Sequence, residues 1–201
     1  MSLAFSLMLF VGVATITPGG ATALAMSAGM HFGVRGSVPL ISGLVAGLST
    51  MAAVAAFGLG RLLLTFPRVE TALTILATIY FLWLAYGIAS TTPNFEKTLK
   101  PEGIPSKFSS GTLLIWLNPK AWTMTLGAAA SFNELAETPT ALALIFGSVF
   151  AVFATASLMS WGYGGAFLAK VLKTKRQWRM VNFALALTLV VSIIPIWGDK
   201  L

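Results

Sequence analysis

The chain has 201 residues, 57% of them hydrophobic and 9% charged, where a typical soluble domain carries about 25% charge and 45–50% apolar residues. With a mean hydropathy of +0.86, this describes an all-α integral membrane protein of several spans and excludes an ordinary soluble domain. The net charge of +7 is read by position, as loop charge that orients membrane helices and not as a nucleic-acid surface, and the absence of cysteine removes disulfides, thiolate metal sites and thiol relays.

The first apolar segment covers residues 3–26 and is broken by Thr17-Pro18-Gly19-Gly20. Ala23-Leu24-Ala25 imitates a signal-peptide cleavage site. No Lys or Arg precedes Arg35, however, and the break falls inside the apolar core, so the segment is expected to be retained. A Gly-rich turn is expected over 28–36, followed by a second apolar segment over about 37–59. Gly43 and Gly47 lie four apart on it, with Gly36, Ser49 and Ala53 near, which makes one face small enough for close packing. That face suits either a helix of the same chain or a second copy in a homo-oligomer. Arg61 ends the segment, and Pro67 suits the first turn of the third, which runs to about Ser90. Tyr80, Trp83 and Tyr86 form a stripe on it, read first as packing or an interface belt and second as a binding surface.

Residues 91–108 are a polar linker rich in Pro and charge. It divides one transmembrane domain (1–201) into a first half, about 1–90, and a second, about 109–201. The fourth segment, 111–131, reads GTLLIWLNPKAWTMTLGAAAS and is interrupted by Asn118-Pro119-Lys120. About 20 apolar residues cross a bilayer, so Lys120 falls near the midplane, where a lysine costs roughly 2.5–3.5 kcal/mol and usually faces a bundle interior or a wet cavity. Pro119 has no N–H for the carbonyl of Ile115, and a free backbone acceptor is expected there. A short loop with Glu134 and Glu137 follows. Pro139 then opens an apolar run to about Leu168, about 45 Å if helical and too long for a perpendicular span. A tilt, or a break near Gly162 to Gly165, is expected. A fifth loop holding Lys170, Lys173, Lys175, Arg176 and Arg179 precedes a last helix over about 180–197.

With six spans, one side carries Arg35, then Lys97, Lys100 and Lys107, then the five just named, while the other carries Arg61, Arg68 and Lys200. The positive-inside rule places the linker in the cytoplasm and both termini outside. The basic fifth loop also suits anionic lipid of the bilayer.

Thr17-Pro18-Gly19 superimposes on Asn118-Pro119-Lys120 at an offset of 101 residues (17 to 118), and each proline then sits in the first helix of a three-helix half. An odd number of spans per half inverts the second half, the plan of transporters whose broken helices meet near the midplane. Half-helix N-termini there would seat a carboxylate, and Lys120 would add a full charge. Thr15, Thr17, Thr22 and Asn118 supply neutral hydrogen bonds. The candidate substrate-binding residues are Thr17, Pro18, Gly19, Gly20, Asn118, Pro119 and Lys120. Against this stands a plainer account, in which the prolines are kinks tolerated in membrane helices and Lys120 snorkels to an interface.

These residues resemble the lysine exporter (LysE) family, in particular its homoserine/threonine-resistance (RhtB) type of amino-acid efflux proteins. The resemblance runs over nearly the whole chain: Thr17-Pro18-Gly19, Gly33-Val34-Arg35-Gly36, Tyr80 to Gly87 (YFLWLAYG), and most specifically Leu117-Asn118-Pro119-Lys120-Ala121. Members usually read Thr-Pro-Gly-Pro, often followed by Asn. Here Gly20 and Ala21 stand in those places, a departure that bears on the substrate more than on the fold. The resemblance implies a secondary exporter of amino acids or close derivatives in the bacterial plasma membrane, driven by the proton gradient.

No Asp or Glu lies deep in a span, since Glu70, Glu96, Glu102, Glu134, Glu137 and Asp199 all fall near ends or in loops. That leaves Lys120, His31 or the substrate itself to carry a proton. His31 reads otherwise as an interfacial residue. No GxxxxGK[ST] loop is present for ATP. No catalytic residue, metal ligand or cofactor is assigned, because a membrane enzyme would need thiols, or a nucleophile and acid beside the single histidine. The rival functions are export of another small solute and a non-transporting accessory subunit. A bare cation is disfavoured as cargo by the fixed charge of Lys120.

Overall fold

A computed structural model of the chain describes residues 2–58, 67–91 and 104–194, without the side chains of 67–70 and 72–74. The described residues form seven α-helices and no strand: α1 (Leu3–Ile16), α2 (Gly20–Ala56), α3 (Pro67–Ser90), α4 (Phe108–Trp116), α5 (Pro119–Ser131), α6 (Pro139–Val171) and α7 (Lys175–Val191). A single 3-10 turn, Asn133–Leu135, links α5 to α6. The central part of the linker, with Lys97 and Lys100, and the residues Arg61 and Lys200 lie outside the described residues.

Local chemistry sets the helix starts. Ser2 Oγ accepts from the Phe5 N–H, and Thr138 Oγ1 accepts from the Ala141 N–H with Pro139 in the first turn. Thr174 and Gln177 close a capping box. This box starts α7 at Lys175, five residues before the expected 180, and shortens the fifth loop, so Lys175, Arg176 and Arg179 lie exposed on the first turns of a helix.

Two further expectations are corrected. The Gly-rich turn over 28–36 shrinks to one residue, because α2 runs on to Ala56 with only Gly33 out of helical geometry (φ 69°, ψ 178°), a conformation glycine adopts without a Cβ penalty. Helix α6 has no break at 162–165. Its 33 residues run for about 50 Å, and the glycines instead let α2 approach: a Cβ on Gly29 would meet the Gly162 carbonyl, and one on Gly165 the Met26 carbonyl.

Helix α2 packs most extensively on α6 and next on α4, while α3 lies against α7 and α1 against α6. The Gly43 and Gly47 face is used within the chain. A Cβ on Gly43 would strike the Phe108 carbonyl and one on Gly111 the Leu40 carbonyl, and Thr112 Oγ1 donates to the Gly43 carbonyl at 3.2 Å. Phe146 and Phe150 fill the core beside Leu40, Leu44 and Met51. The outer faces are apolar too, with Leu9, Val13, Leu144, Val152, Phe167 and Phe183 exposed, as a lipid-facing surface requires. Helices α2 and α6 are each long and apolar enough to cross a membrane. Tyr80 is half-buried against the core and stacks on Trp83 at 5.8 Å, while Trp83 and Tyr86 are exposed, the latter 74%, so the aromatic stripe runs from the core to the outer surface.

Gly111→Ala is expected to lower stability by about 1–3 kcal/mol, because backbone on the facing helix cannot yield. Gly127→Ala, with nothing near its added methyl, is expected to be neutral or to stabilise by up to about 1 kcal/mol. Thermal unfolding of the two variants in detergent compares them.

Candidate functional site

Helix α1 stops at Ile16, and Thr17 is extended (φ −60°, ψ 131°) ahead of Pro18. The carbonyls at this end find donors from the second half of the chain. Ser157 Oγ donates to the Thr15 carbonyl at 2.8 Å, Trp161 Nε1 to the Ile16 carbonyl at 3.3 Å, and Lys120 Nζ to the Thr17 carbonyl at 2.8 Å and the Pro18 carbonyl at 3.4 Å. The ammonium therefore stands at the negative end of a half-helix, where a cation is favoured. Gly19 makes room for it: an added Cβ there would lie 3.1 Å from Lys120 Cδ.

The second break is closed by its own neighbours. Asn118 is buried and caps α5, its Oδ1 accepting from the Lys120 N–H at 3.0 Å. The Ile115 carbonyl, expected to be free, accepts from the Asn118 N–H at 2.9 Å, since the chain tightens by one residue before Pro119. Trp122 Nε1 reaches back across the break to the Trp116 carbonyl at 2.8 Å.

Donors remain at the start of α2. The Gly19 N–H is taken by Thr22 Oγ1 at 2.8 Å, and that hydroxyl donates to the Gly19 carbonyl at 2.9 Å. The N–H groups of Gly20, Ala21 and Thr22 have no acceptor among the described residues, as first-turn groups do. The Asn118 NH2 likewise makes no bond to a described residue.

A cavity of about 40 Å³ lies between the breaks, room for two or three waters. Thr17, Gly19, Gly20, Asn118 and Lys120 line it, together with Thr15 and Thr22. Pro18 contributes its carbonyl to Lys120 from an exposed position, and Pro119 forms the first turn of α5 without lining the cavity. Ser157 and Trp161 were not foreseen from the sequence. The signal available was a pair of side-chain donors four residues apart on one face of an apolar helix. Among the described residues no cluster of three His, Cys, Asp or Glu is placed to hold a metal ion.

Residues 12–192 match a family model described as LysE type translocator. Fold and match together define the class: a membrane exporter of amino acids or related solutes. The chain belongs to the LysE type translocator family. No curated protein and no solved structure matches it.

Position 20 has a local explanation. A Cβ on Gly20 would come within 2.6 Å of the ring of Phe81, which is itself fully buried between α2 and its neighbours. A side chain at 20, proline included, requires the buried Phe81 ring to shift. Gly20→Ala is expected to cost about 1–3 kcal/mol and to recover part of that in combination with Phe81→Leu, a coupling that a double-mutant cycle of unfolding midpoints reads directly.

Proposed function

We propose that this exporter is secondary active, carries an amino acid or close derivative, and holds it between the two helix breaks. The single observation that carries this reading is the bond from Lys120 Nζ to the Thr17 carbonyl, 2.8 Å across a separation of 103 residues. It joins two helix ends that membrane apposition alone gives no reason to join.

The chemistry suits a zwitterion. Gly20, Ala21, Thr22, Asn118 and Lys120 all line one otherwise largely apolar cavity, and their first-turn N–H groups, amide NH2 and ammonium are all donors, the set a carboxylate needs. A carboxylate offers Lys120 a stronger, charge-assisted partner than a carbonyl. As Lys120 turns to it, the Thr17 and Pro18 carbonyls are released and become acceptors for the substrate's ammonium. The cavity is smaller than an amino acid, so entry requires the helices around it to separate. Alternating access then follows from exposing the same groups to one side or the other.

Six spans arranged as two inverted halves accommodate these parts. Helix α1 with residues 20–32, then 34–56, then α3 form one half. Helix α4 with α5, then α6, then α7 form the other. The loop charges support a topology with both termini outside, and the proton gradient is the proposed drive.

The test is efflux of a labelled amino-acid pool from proteoliposomes with an imposed pH gradient. Lys120→Gln is expected to lower it about 10- to 100-fold, the worth of a hydrogen bond to a charged group. Unchanged efflux in that variant would remove the carboxylate anchor. Orientation is checked separately, by a reporter fused after Leu201, which is expected to read as extracytoplasmic.

A further inference from the structure

Away from the breaks, three buried side-chain polar atoms have no hydrogen-bond partner among the described residues: Ser27 Oγ, His31 Nε2 and Asn182 Oδ1. Ser27 and Asn182 are both 0% exposed. Unpaired polar atoms in an apolar bundle carry a desolvation penalty and call for an explanation.

These atoms belong to one place. Ser27 and His31 are four apart on α2, and Trp178 and Asn182 are four apart on α7, so each pair shares a helix face. The His31 imidazole lies against Trp178 with ring centroids 5.4 Å apart, and the Asn182 amide stands beside it. Further along the same two helices, Gly20 of α2 faces Leu189 of α7, which fixes an antiparallel register with Ser27 opposite Asn182.

The orientation of Asn182 is set by its other end. Its Nδ2 donates to the carbonyl of Thr91, just past α3, at 2.7 Å, so its oxygen, an acceptor only, is the atom left to the cluster. A hydrogen on Nε2 makes the ring a donor to Oδ1 and satisfies both atoms, in the neutral tautomer as in the imidazolium. The bond to Asn182 thus fixes the tautomer and leaves Nδ1 as the atom that takes up a proton.

The groups around the ring leave that role to it. On α2, Arg35 lies one turn beyond and is exposed. Helix α7 presents Trp178 and Asn182 inward and Lys175 and Arg179 outward, and Lys170 and Lys173 before it are exposed. From α3 comes the Thr91 carbonyl, and α6 brings Gly162 and Gly165 to the opposite face of α2. The described carboxylates, Glu134 and Glu137, are exposed in the loop after α5.

We propose that His31, with Asn182 as its acceptor and Ser27 closing the polar pocket, is the proton-carrying site of this transporter. The inference rests on the transporter class and makes no assumption about where a carboxylate sits. One proton is bound at Nδ1 from the outer side and the same proton is released to the cytoplasm, while Nε2–H stays on Asn182 Oδ1, with no other bond made or broken. Coupling to the solute is mechanical. Residues 20–32 form one straight stretch whose first turn lines the cavity between the breaks and whose far end, about 16 Å away, carries His31. The joint at Gly33 follows directly. A tilt of this rod moves both sites together.

The chain has a single histidine, so protein labelled at histidine in lipid nanodiscs yields one imidazole signal, and its pH titration reads the site whatever the solute. The signal titrates reversibly in the unmodified protein, and its midpoint is displaced by about one pH unit in Asn182→Leu. No titration while the fold persists, or the same titration in both proteins, overturns the proposal. In proteoliposomes loaded with the labelled amino-acid pool, His31→Gln brings the ratio of gradient-driven to gradient-free efflux down to about one. A ratio that stays at the unmodified value overturns the proposal as well. If the unmodified protein moves none of the pool, the solute proposed above is wrong, and the titration alone decides on the proton site.

Discussion

The structure depends on one constraint: a backbone carbonyl left at a helix end inside an apolar bundle must find a donor in protein, because lipid supplies none. Thr15, Ile16 and Thr17 end α1, and Ser157, Trp161 and Lys120 answer them. Leaving the buried Thr15 acceptor unpaired would cost about 1–3 kcal/mol, while the Ile16 and Thr17 carbonyls lie at the exposed edge of the bundle. The first break is therefore held most firmly when α5 and α6 lie against it. Small residues make the approach feasible, since Gly29 on Gly162 and Gly165 on Met26 bring α2 and α6 together at backbone distance.

The two breaks are closed in different ways. In the second, Asn118 caps its own helix and Trp122 covers the Trp116 carbonyl, so every bond stays within a few residues. In the first, the bonds cross the whole chain. Relative motion of the two parts thus leaves the second break intact and strips the first of its donors, unless an incoming group replaces them. Lys120 belongs to both descriptions, since its backbone N–H is held by Asn118 while its ammonium is held by Thr17 and Pro18.

Much of this was legible in the sequence, and the reasons are physical. Proline marks a helix interruption wherever it falls, so 17–19 and 118–120 were readable as breaks, and a lysine in an apolar span announces a polar neighbour. The limits of α3 were equally plain, from Pro67 and the polar residues after Ser90. What could not be read was partner choice. The sequence shows that Lys120 needs acceptors but not that two carbonyls of the other break supply them. Ser157 and Trp161 look like isolated polar residues until α6 is laid against α1. Glycine was the least legible residue. Gly33 is a joint, Gly162 and Gly165 are contacts, and Gly20 is a space left for Phe81, and only the facing atoms tell these apart.

The lysine's position on carbonyls bears on whether it is structural or functional, and under the function proposed above the two roles are inseparable. A lysine kept only to cap α1 would be best served by a dry, filled surrounding, since its attraction to the carbonyls grows as water is excluded. Here a cavity adjoins it, lined mostly by apolar side chains such as Leu48, Ile115, Met124 and Leu158. Asn118 lines it too, as do Gly20, Ala21 and Thr22, whose first-turn N–H groups are uncapped among the described residues. Donors that have no acceptor are a liability in a closed bundle and an asset only when an acceptor arrives. The cap on α1 and the seat beside it share one ammonium, so filling the seat weakens the cap and loosens the contact between the two parts. In the proposed reading, binding and opening are then a single event, which is the coupling an alternating exporter requires.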